Sequence, residues 1–147
     1  MMVLDVNVLV TAFQPEMPHH PQTKHWLERV MIERRPLGVV DAVAASFVRI
    51  VTQRPFLTSV PEAFAFINRV RAEPNCRTLL PNAQQWAMFE RTCRRTRRQG
   101  KAAQDVYWAS FALELSHEFV TFDNGFAGIP GLTWRSPLDA QPRTNPR

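Results

Sequence analysis

Several features are scarce in this sequence, and each scarcity excludes a class of protein. The two cysteines, Cys76 and Cys93, lie far apart without CxxC spacing, and the four histidines show no spacing typical of a zinc site. No apolar run approaches the roughly eighteen residues that a membrane span requires, and no basic segment with a long apolar core opens the chain. The sequence therefore predicts a cytoplasmic protein with no membrane span and no zinc centre.

Lysine is scarce as well, although the chain is basic. Lys24 and Lys101 are the only lysines among 18 Lys plus Arg, the net charge is +5, and the sequence pI is about 10.2. This balance favours polyanionic partners, and arginine binds phosphate as a planar, bidentate fork. An arginine-rich genome would explain the same composition, so charge alone does not decide the function.

The length and composition predict one folded domain. A chain of 147 residues is expected to bury about 68–70% of the surface that its unfolded form exposes. We find no internal repeat and no low-complexity linker. We assign residues 1–140 to the domain and expect residues 141–147, which are polar and contain two prolines, to form a flexible tail.

Short apolar runs alternate with helical patterns along the chain. The runs lie at residues 3–6, 37–40, 78–80, 119–122 and 132–134, and helices are predicted to begin near His20, Asp41, Ser59, Asn82 and Ala102. A Ser59/Glu62 capping box supports the third of these helices, and Asn82 with Gln85 repeats the pattern at the fourth. This alternation predicts an α/β fold with a central, mainly parallel sheet.

In this arrangement, three aspartates form a candidate functional site. The first strand ends at Asp5, and the strand at residues 119–122 ends at Asp123, so their side chains would meet at one edge of the sheet if the strands are neighbours. Asp105, in the first turn of the helix that begins near Ala102, can join them, although a carboxylate there is also an ordinary partner of the helix dipole. Three carboxylates repel unless a cation neutralises them, which predicts a site for Mg²⁺ or Mn²⁺.

A strongly basic segment precedes Asp105. It exceeds what the C-terminus of a helix needs for capping, and both nucleic-acid contact and a solvated basic face remain open for it. Two roles are also open for Tyr107 and Trp108, because their rings could stack on RNA bases or pack against the protein. The basic residues are Arg91, Arg94, Arg95, Arg97, Arg98 and Lys101.

Four segments together resemble a known family. Residues 4–9 (LDVNVL) resemble the opening motif of PIN domains, and residues 104–109 (QDVYWA) resemble the segment that carries their third acid. Residues 121–126 (TFDNGF), followed by Pro130-Gly131-Leu132 and Trp134, resemble the closing motif of VapC-type toxins, and residues 47–52 (FVRIVT) resemble their helix after the second strand. The resemblance spans nearly the whole chain.

This resemblance implies a three-layer PIN-like fold and an endoribonuclease that depends on Mg²⁺ or Mn²⁺ and cuts structured RNA such as tRNA or rRNA. It also implies a homodimer and a VapB-type antitoxin partner. Carried over by position, the catalytic residues and metal ligands are Asp5, Asp105 and Asp123, and the supporting residues are Asn7, Ser46 and Thr121. The candidate RNA-binding residues near the mouth of this site are Arg94, Arg95, Arg97, Arg98 and Lys101.

Ser46 departs from the family pattern, which has a glutamate at this position. A hydroxyl keeps hydrogen-bonding capacity but removes a negative charge and a strong ligand. Asp41 and Glu33 are poor replacements by position. Three interpretations are open: a working site with weaker metal affinity, which we favour, rescue by water or a nearby acid, and lost activity.

Two other functions fit parts of the sequence. A degenerate PIN domain that binds RNA or an antitoxin without cutting is supported by Ser46. The ordered set of acids argues against this function. A phosphoacceptor receiver domain also gathers acids at strand ends, but the sequence has no acidic pair beside Asp5 and no lysine after a predicted strand.

Overall fold

Six strands form one sheet at the centre of the protein, and six helices pack against it. We describe residues 1–147 from a computed structural model. A short 3₁₀ helix, Asn124–Gly128, follows the fourth strand. The strands and helices are β1 (Met2–Leu4), α1 (Val6–Phe13), α2 (His20–Ile32), β2 (Leu37–Val40), α3 (Asp41–Thr52), α4 (Val60–Ala72), β3 (Cys76–Leu79), α5 (Ala83–Thr96), α6 (Lys101–Glu114), β4 (Glu118–Val120), β5 (Thr133–Arg135) and β6 (Arg143–Thr144).

The order of the strands confirms the predicted α/β fold with a mainly parallel sheet. The strands lie in the order β3-β2-β1-β4-β5-β6; the first five are parallel, and β6 is antiparallel to β5. The chain runs outward from β1 to β3 and then returns to β4 on the other side of β1. This reversal opens a crevice at the carboxyl ends of β1 and β4. Leu4 pairs with Val120, so Asp5 and Thr121 leave the two strands side by side.

Burial in the core explains why the apolar runs form strands and why α3 has one apolar face. β1 and β2 are buried along their whole length, as continuous apolar strands of a covered parallel sheet should be. Helix α3 buries Val43, Ala44, Phe47 and Val51 on one face, and Phe47 is fully buried against the ring of Phe13. Truncating an aromatic side chain such as Phe47 to alanine would cost about 3–5 kcal/mol of stability.

The helix caps agree with the sequence at α4 and differ in part at α5. The Ser59/Glu62 capping box is present, and the Asn82 side chain accepts a hydrogen bond from the Gln85 N–H at 2.8 Å. The Gln85 side chain does not return to the cap, however, because it is buried and donates to Ser110 Oγ at 2.6 Å. Helix α5 thus turns its Gln85 and Thr92 face inward, which leaves Trp86 56% exposed.

The C-terminal residues pack on the domain, contrary to the expectation of a free tail. Strand β6 pairs with β5, and Asn145 is buried next to the 3₁₀ helix. The Asn145 side chain accepts a hydrogen bond from Trp134 Nε1 at 3.0 Å and donates to the carbonyls of Phe126 (2.9 Å) and Ile129 (2.8 Å). These bonds satisfy three buried polar groups, which is why a polar, proline-containing segment is held in place here.

None of the helices combines the length and the apolar composition that crossing a bilayer requires.

Candidate active site

A cleft of about 400 Å³ opens at the carboxyl ends of β1 and β4. Helices α3 and α6 form its two walls, and the first residues after the two strands form its floor. It contains all three predicted acids. Its lining residues are Asp5, Val6, Asn7, Val43, Ser46, Arg49, Ile50, Lys101, Gln104, Asp105, Trp108, Asp123 and Phe126.

Asp5 lies on the floor of the cleft and is fixed by three hydrogen bonds. It is the N-cap of α1, and its Oδ1 accepts a hydrogen bond from the Val6 N–H at 2.6 Å. Its Oδ2 accepts from Thr121 Oγ1 at 2.6 Å and from Asn7 Nδ2 at 2.9 Å. The neighbouring ends of β1 and β4 bring these side chains together, so the sheet itself sets the position of the Asp5 carboxylate.

Asn7 and Thr121 connect Asp5 to the segment that carries Asp123. Asn7 Nδ2 also donates to Thr121 Oγ1 at 3.0 Å, and Asn7 Oδ1 accepts from the Phe122 N–H at 3.2 Å. The Asp123 N–H donates to Thr121 Oγ1 at 3.0 Å. The structure therefore places two of the three predicted supporting residues, Asn7 and Thr121, between the two strand-end acids.

Asp123 begins the 3₁₀ helix as its N-cap. Its Oδ1 accepts a hydrogen bond from the Gly125 N–H at 2.7 Å. One carboxylate oxygen is thus used to hold the turn, and the other is left for the cleft.

Asp105 reaches the cleft from α6, but from a different turn than the sequence predicted. The helix begins at Lys101, one residue earlier than expected, so Asp105 is its fifth residue and lies beyond the first turn. Residues Lys101, Gln104, Asp105 and Trp108 repeat at helical spacing and all line the cleft. The Asp105 carboxylate accepts no hydrogen bond from the protein, in contrast to Asp5.

The charges of the cleft interact. The pKa of Asp5 is raised to about 6, chiefly by burial and in smaller part by the charges of Asp105 and Asp123, while the bonds from Thr121 and Val6 act in the opposite direction. Burial also raises the pKa of Asp105, and the charge of Asp123 adds to this, while Lys101 and Arg98 act in the opposite direction. The neighbouring carboxylates thus raise the free energy of the charged forms of Asp5 and Asp105.

The α3 wall carries Ser46 and Arg49, and no fourth carboxylate replaces the missing glutamate. Asp41 Oδ1 pairs with Arg71 Nη2 at 2.9 Å, and Glu33 pairs with Arg29 at 2.7 Å. Neither acid lines the cleft, which confirms that both are poor replacements. Rescue of the site by one of these two acids is therefore excluded in this arrangement.

The chemistry of the cleft fits a hard divalent cation, but the ligands are not gathered around one point. Carboxylate oxygens are the donors that Mg²⁺ and Mn²⁺ prefer, and three of them share the cleft. No three His, Cys, Asp or Glu side chains, however, come close enough together to hold a metal ion as they stand. Joint metal ligation by Asp5, Asp105 and Asp123 stays a prediction.

The basic residues before Asp105 fall into two groups. Lys101 lines the cleft, and Arg98 Nη2 donates to the Gly125 carbonyl at 3.0 Å, beside the Asp123 turn. Arg94 forms an exposed pair with Glu90 at 2.8 Å, and Arg95 and Arg97 are exposed outside the cleft. The structure thus brings only two of the five candidate RNA-binding residues to the site.

Sequence reasoning missed three residues that the structure brings to the site or its support. Arg49 and Gln104 line the cleft, and Asn145 donates a hydrogen bond to the 3₁₀ helix; Trp108, which also lines the cleft, was already a candidate for stacking on RNA bases. Arg49 lies three residues after Ser46, and Gln104 lies three residues after Lys101, so helical spacing was a usable signal for both. Asn145 had none, because its partners come from distant segments.

The chain is similar to known proteins over nearly its whole length. No protein-family model matches it. It is 34% identical over 144 residues to ribonuclease VapC43 of Mycobacterium tuberculosis, covering 96% of this chain and 98% of that protein. It is 29% identical over 131 residues to ribonuclease VapC25 of the same species, covering 86% of this chain and 92% of that protein.

Solved structures show the same fold. VapBC2 of Rickettsia felis, bound to a promoter DNA fragment, matches with a TM-score of 0.71 at 16% identity over 92% of this chain and 97% of that one. VapC20 of Mycobacterium tuberculosis, described as a sarcin-ricin loop cleaving toxin, matches with a TM-score of 0.64 at 14% identity over 86% of this chain and 93% of that one. The chain is 34% identical to VapC43 over nearly the full length of both proteins, it has the same fold as the VapC structures, and its cleft is lined with acids. The chain therefore belongs to the VapC ribonuclease family, the PIN-domain toxins.

Proposed function

We propose that this protein is a VapC-type toxin that hydrolyses phosphodiester bonds in structured RNA, such as tRNA or rRNA, with Mg²⁺ or Mn²⁺. The observation that carries this proposal is the fixed pair of acids on the cleft floor, Asp5 and Asp123, joined through Thr121 and Asn7. A divalent cation, when bound by such carboxylates, polarises a phosphoryl oxygen and makes its bound water more acidic.

The residues of this chain supply the remaining requirements. Thr121 and Asn7 hold Asp5 in one orientation, so that no reorganisation is needed when substrate arrives. Lys101 and Arg49 stand on opposite walls of the cleft and offer positive charge to RNA phosphates. Trp108, half-buried on the α6 wall, presents an aromatic surface on which an unpaired base can stack.

We also propose a VapB-type antitoxin partner and a homodimer. The structures of VapBC2 from Rickettsia felis and FitAB bound to a DNA fragment, both similar in fold, support the partner. Trp86 and Leu80, 56% and 62% exposed near the start of α5, offer apolar surface for protein contact. Light scattering of the purified chain, alone and with the small DNA-binding protein expected to be encoded beside it, tests both.

A non-catalytic binding module is the second candidate. Ser46 in place of the family glutamate favours it, and so does the absence of three acids close enough for one metal ion. Such a domain would bind RNA or antitoxin and cut nothing.

One experiment separates the two candidates. Purified, partner-free protein is incubated with total tRNA and rRNA in Mg²⁺, Mn²⁺ or EDTA, beside the Asp5→Asn and Ser46→Glu variants. We expect wild-type protein to cut only with metal and Asp5→Asn to be inactive. A wild-type chain that binds RNA but never cuts it, together with a Ser46→Glu variant that does cut, would establish the binding module instead.

A further inference from the structure

Arg98 makes a contact that its place in a basic segment did not predict. It lies in the short link between α5 and α6, three residues before the helix that carries Asp105. Its Nη2 donates a hydrogen bond to the Gly125 carbonyl at 3.0 Å, across 27 residues of sequence. The link before α6 is therefore tied to the 3₁₀ helix after β4.

Gly125 connects Arg98 to Asp123, because it forms a hydrogen bond with each of them. The Gly125 N–H donates to Asp123 Oδ1 at 2.7 Å, while its carbonyl accepts from Arg98. Asn145 holds the other end of the same turn by donating to the carbonyls of Phe126 and Ile129. The turn that presents Asp123 is thus fixed on one side by the C-terminal strand and on the other by Arg98.

Gly128 makes room for the Arg98 guanidinium. A Cβ atom at position 128 would lie 2.7 Å from Arg98 Nη2, closer than side chains tolerate. The backbone of Gly128 does not have the left-handed φ that favours glycine, so no local conformation requires glycine here. An alanine at position 128 would therefore force the end of the Arg98 side chain to move.

We propose that Arg98 is a positioning residue for the nuclease site: it ties the α5–α6 link, which leads into the Asp105 helix, to the turn that carries Asp123, and so sets the spacing of these two acids. This inference rests on the proposed ribonuclease function. Direct contact between Arg98 and RNA phosphate is the alternative, and it predicts a different kinetic change.

The test uses Arg98→Ala and Gly128→Ala, singly and together, with kcat and KM measured on the RNA that wild-type protein cuts. Gly128→Ala keeps the arginine but displaces its guanidinium, so it separates position from charge. Arg95→Ala removes an exposed arginine of the same basic segment whose side chain makes no hydrogen bond, so it is the control for the loss of one positive charge. Arg98→Lys tests whether a cation of similar length restores the contact.

If Arg98 positions the acids, each single variant should lower kcat by about ten- to a hundredfold, because small misplacements in a site carry costs of this size. KM should stay within about twofold of wild type, and the salt dependence of RNA binding should not change, since no phosphate contact is lost. The double variant should be no worse than the more affected single variant, because both remove one contact.

Three results would overturn the proposal. A rise in KM with unchanged kcat, together with a shallower salt dependence of binding, would assign Arg98 to RNA contact. Wild-type kinetics of Gly128→Ala, in a variant whose Gly125 amide exchanges faster than in wild type, would show that the contact between Arg98 and Gly125 is unimportant for cleavage. Additive losses in the double variant would show that the two residues act separately.

Amide hydrogen exchange on the metal-free protein tests the contact without RNA or activity. Loss of the Arg98 bond should speed exchange of the Gly125 amide by about three- to tenfold, the expected effect of one hydrogen bond, while amides of β1 stay unchanged. Unchanged exchange of Gly125 in both variants would contradict the proposal. If wild-type protein cuts no RNA, the ribonuclease function fails, and exchange still reports whether Arg98 holds the turn.

Discussion

Asp5 and Asp105 are carboxylates of the same cleft, but they differ in burial and in hydrogen bonding. Asp5 is 5% exposed and accepts hydrogen bonds from Val6, Asn7 and Thr121. Asp105 is half-buried on a helix wall and accepts none. The floor of the cleft is therefore built by the fold, whereas its α6 wall carries a carboxylate left for a ligand. Changes on the floor should affect both stability and activity, and changes at Asp105 should affect activity alone.

The largest loss of activity at unchanged stability is expected for Asp105→Asn. A charge that stabilises a bound cation directly is worth several kcal/mol, so we expect cleavage to fall by about a hundredfold or more. Because Asp105 has no hydrogen bond to lose, the free energy of unfolding of the metal-free variant should stay within about 0.5 kcal/mol of wild type. RNA cleavage and urea unfolding measure the two. A variant that loses several kcal/mol of stability would contradict the distinction between wall and floor.

The pH dependence of the free energy of unfolding should show how much the ionised Asp5 carboxylate destabilises the folded protein. The pKa of Asp5 rises from 3.8 in the unfolded chain to about 6 in the folded protein, which corresponds to about 3 kcal/mol. As pH rises from about 4 to about 6, the unfolded chain loses the Asp5 proton first, so the free energy of unfolding falls and then levels off. Urea unfolding of the metal-free protein in EDTA, between pH 4 and 8, measures this slope.

Two variants separate the contributions to this slope. Asp5→Asn should flatten it, whatever its absolute stability. Asp105→Asn should flatten it less, because Asp105 is more exposed and its raised pKa acts in the same direction. The lowered pKa of His117 acts in the opposite direction and is common to all three proteins. An Asp5→Asn profile parallel to that of wild type would show that Asp5 does not titrate as its burial implies.

Thr121→Val removes the hydroxyl at the centre of the floor while keeping its shape. The hydroxyl donates to Asp5 and accepts from Asn7 and from the Asp123 N–H. We expect activity to fall by about ten- to a hundredfold, the usual effect of removing a residue that orients ligands. Stability should fall by about 1–3 kcal/mol, because buried donors lose their partner. Thr121→Ser, which keeps the hydroxyl, is the control and should retain most of both quantities.

The same contrast explains how much of the site the sequence could predict. Asp5 and Asp123 could be placed because each ends a buried run, and parallel strands align their carboxyl ends. Asp105 was placed in the cleft but in the wrong turn of its helix, because Gly100 lets α6 begin at Lys101. The strand order, with β1 beside β4, turned these local patterns into one site.

The features that the sequence did not predict depend on distant partners. Asn145 looked like part of a polar tail, and only its bonds to Trp134 and the carbonyl oxygens after Asp123 make it structural. Arg98 looked like one of several RNA-binding arginines until its bond to Gly125 set it apart. Gln85 looked like a helix cap, but Ser110 on α6 draws its side chain inward. A hydrogen bond between segments far apart in sequence leaves no periodic pattern to read.

The smallest effect, and the one that decides how Ser46 is interpreted, is expected for Ser46→Glu. A glutamate there would add a fourth carboxylate to the α3 wall, so we expect half-maximal cleavage at several-fold lower Mg²⁺. Arg49, three residues on and also lining the cleft, would pair with it and limit the gain to less than about tenfold. A magnesium titration of cleavage measures this, with Ser46→Gln as the control for shape without charge. An equal gain in both variants would assign the effect to packing, whereas no gain in Ser46→Glu would mean that the two walls do not hold the cation together.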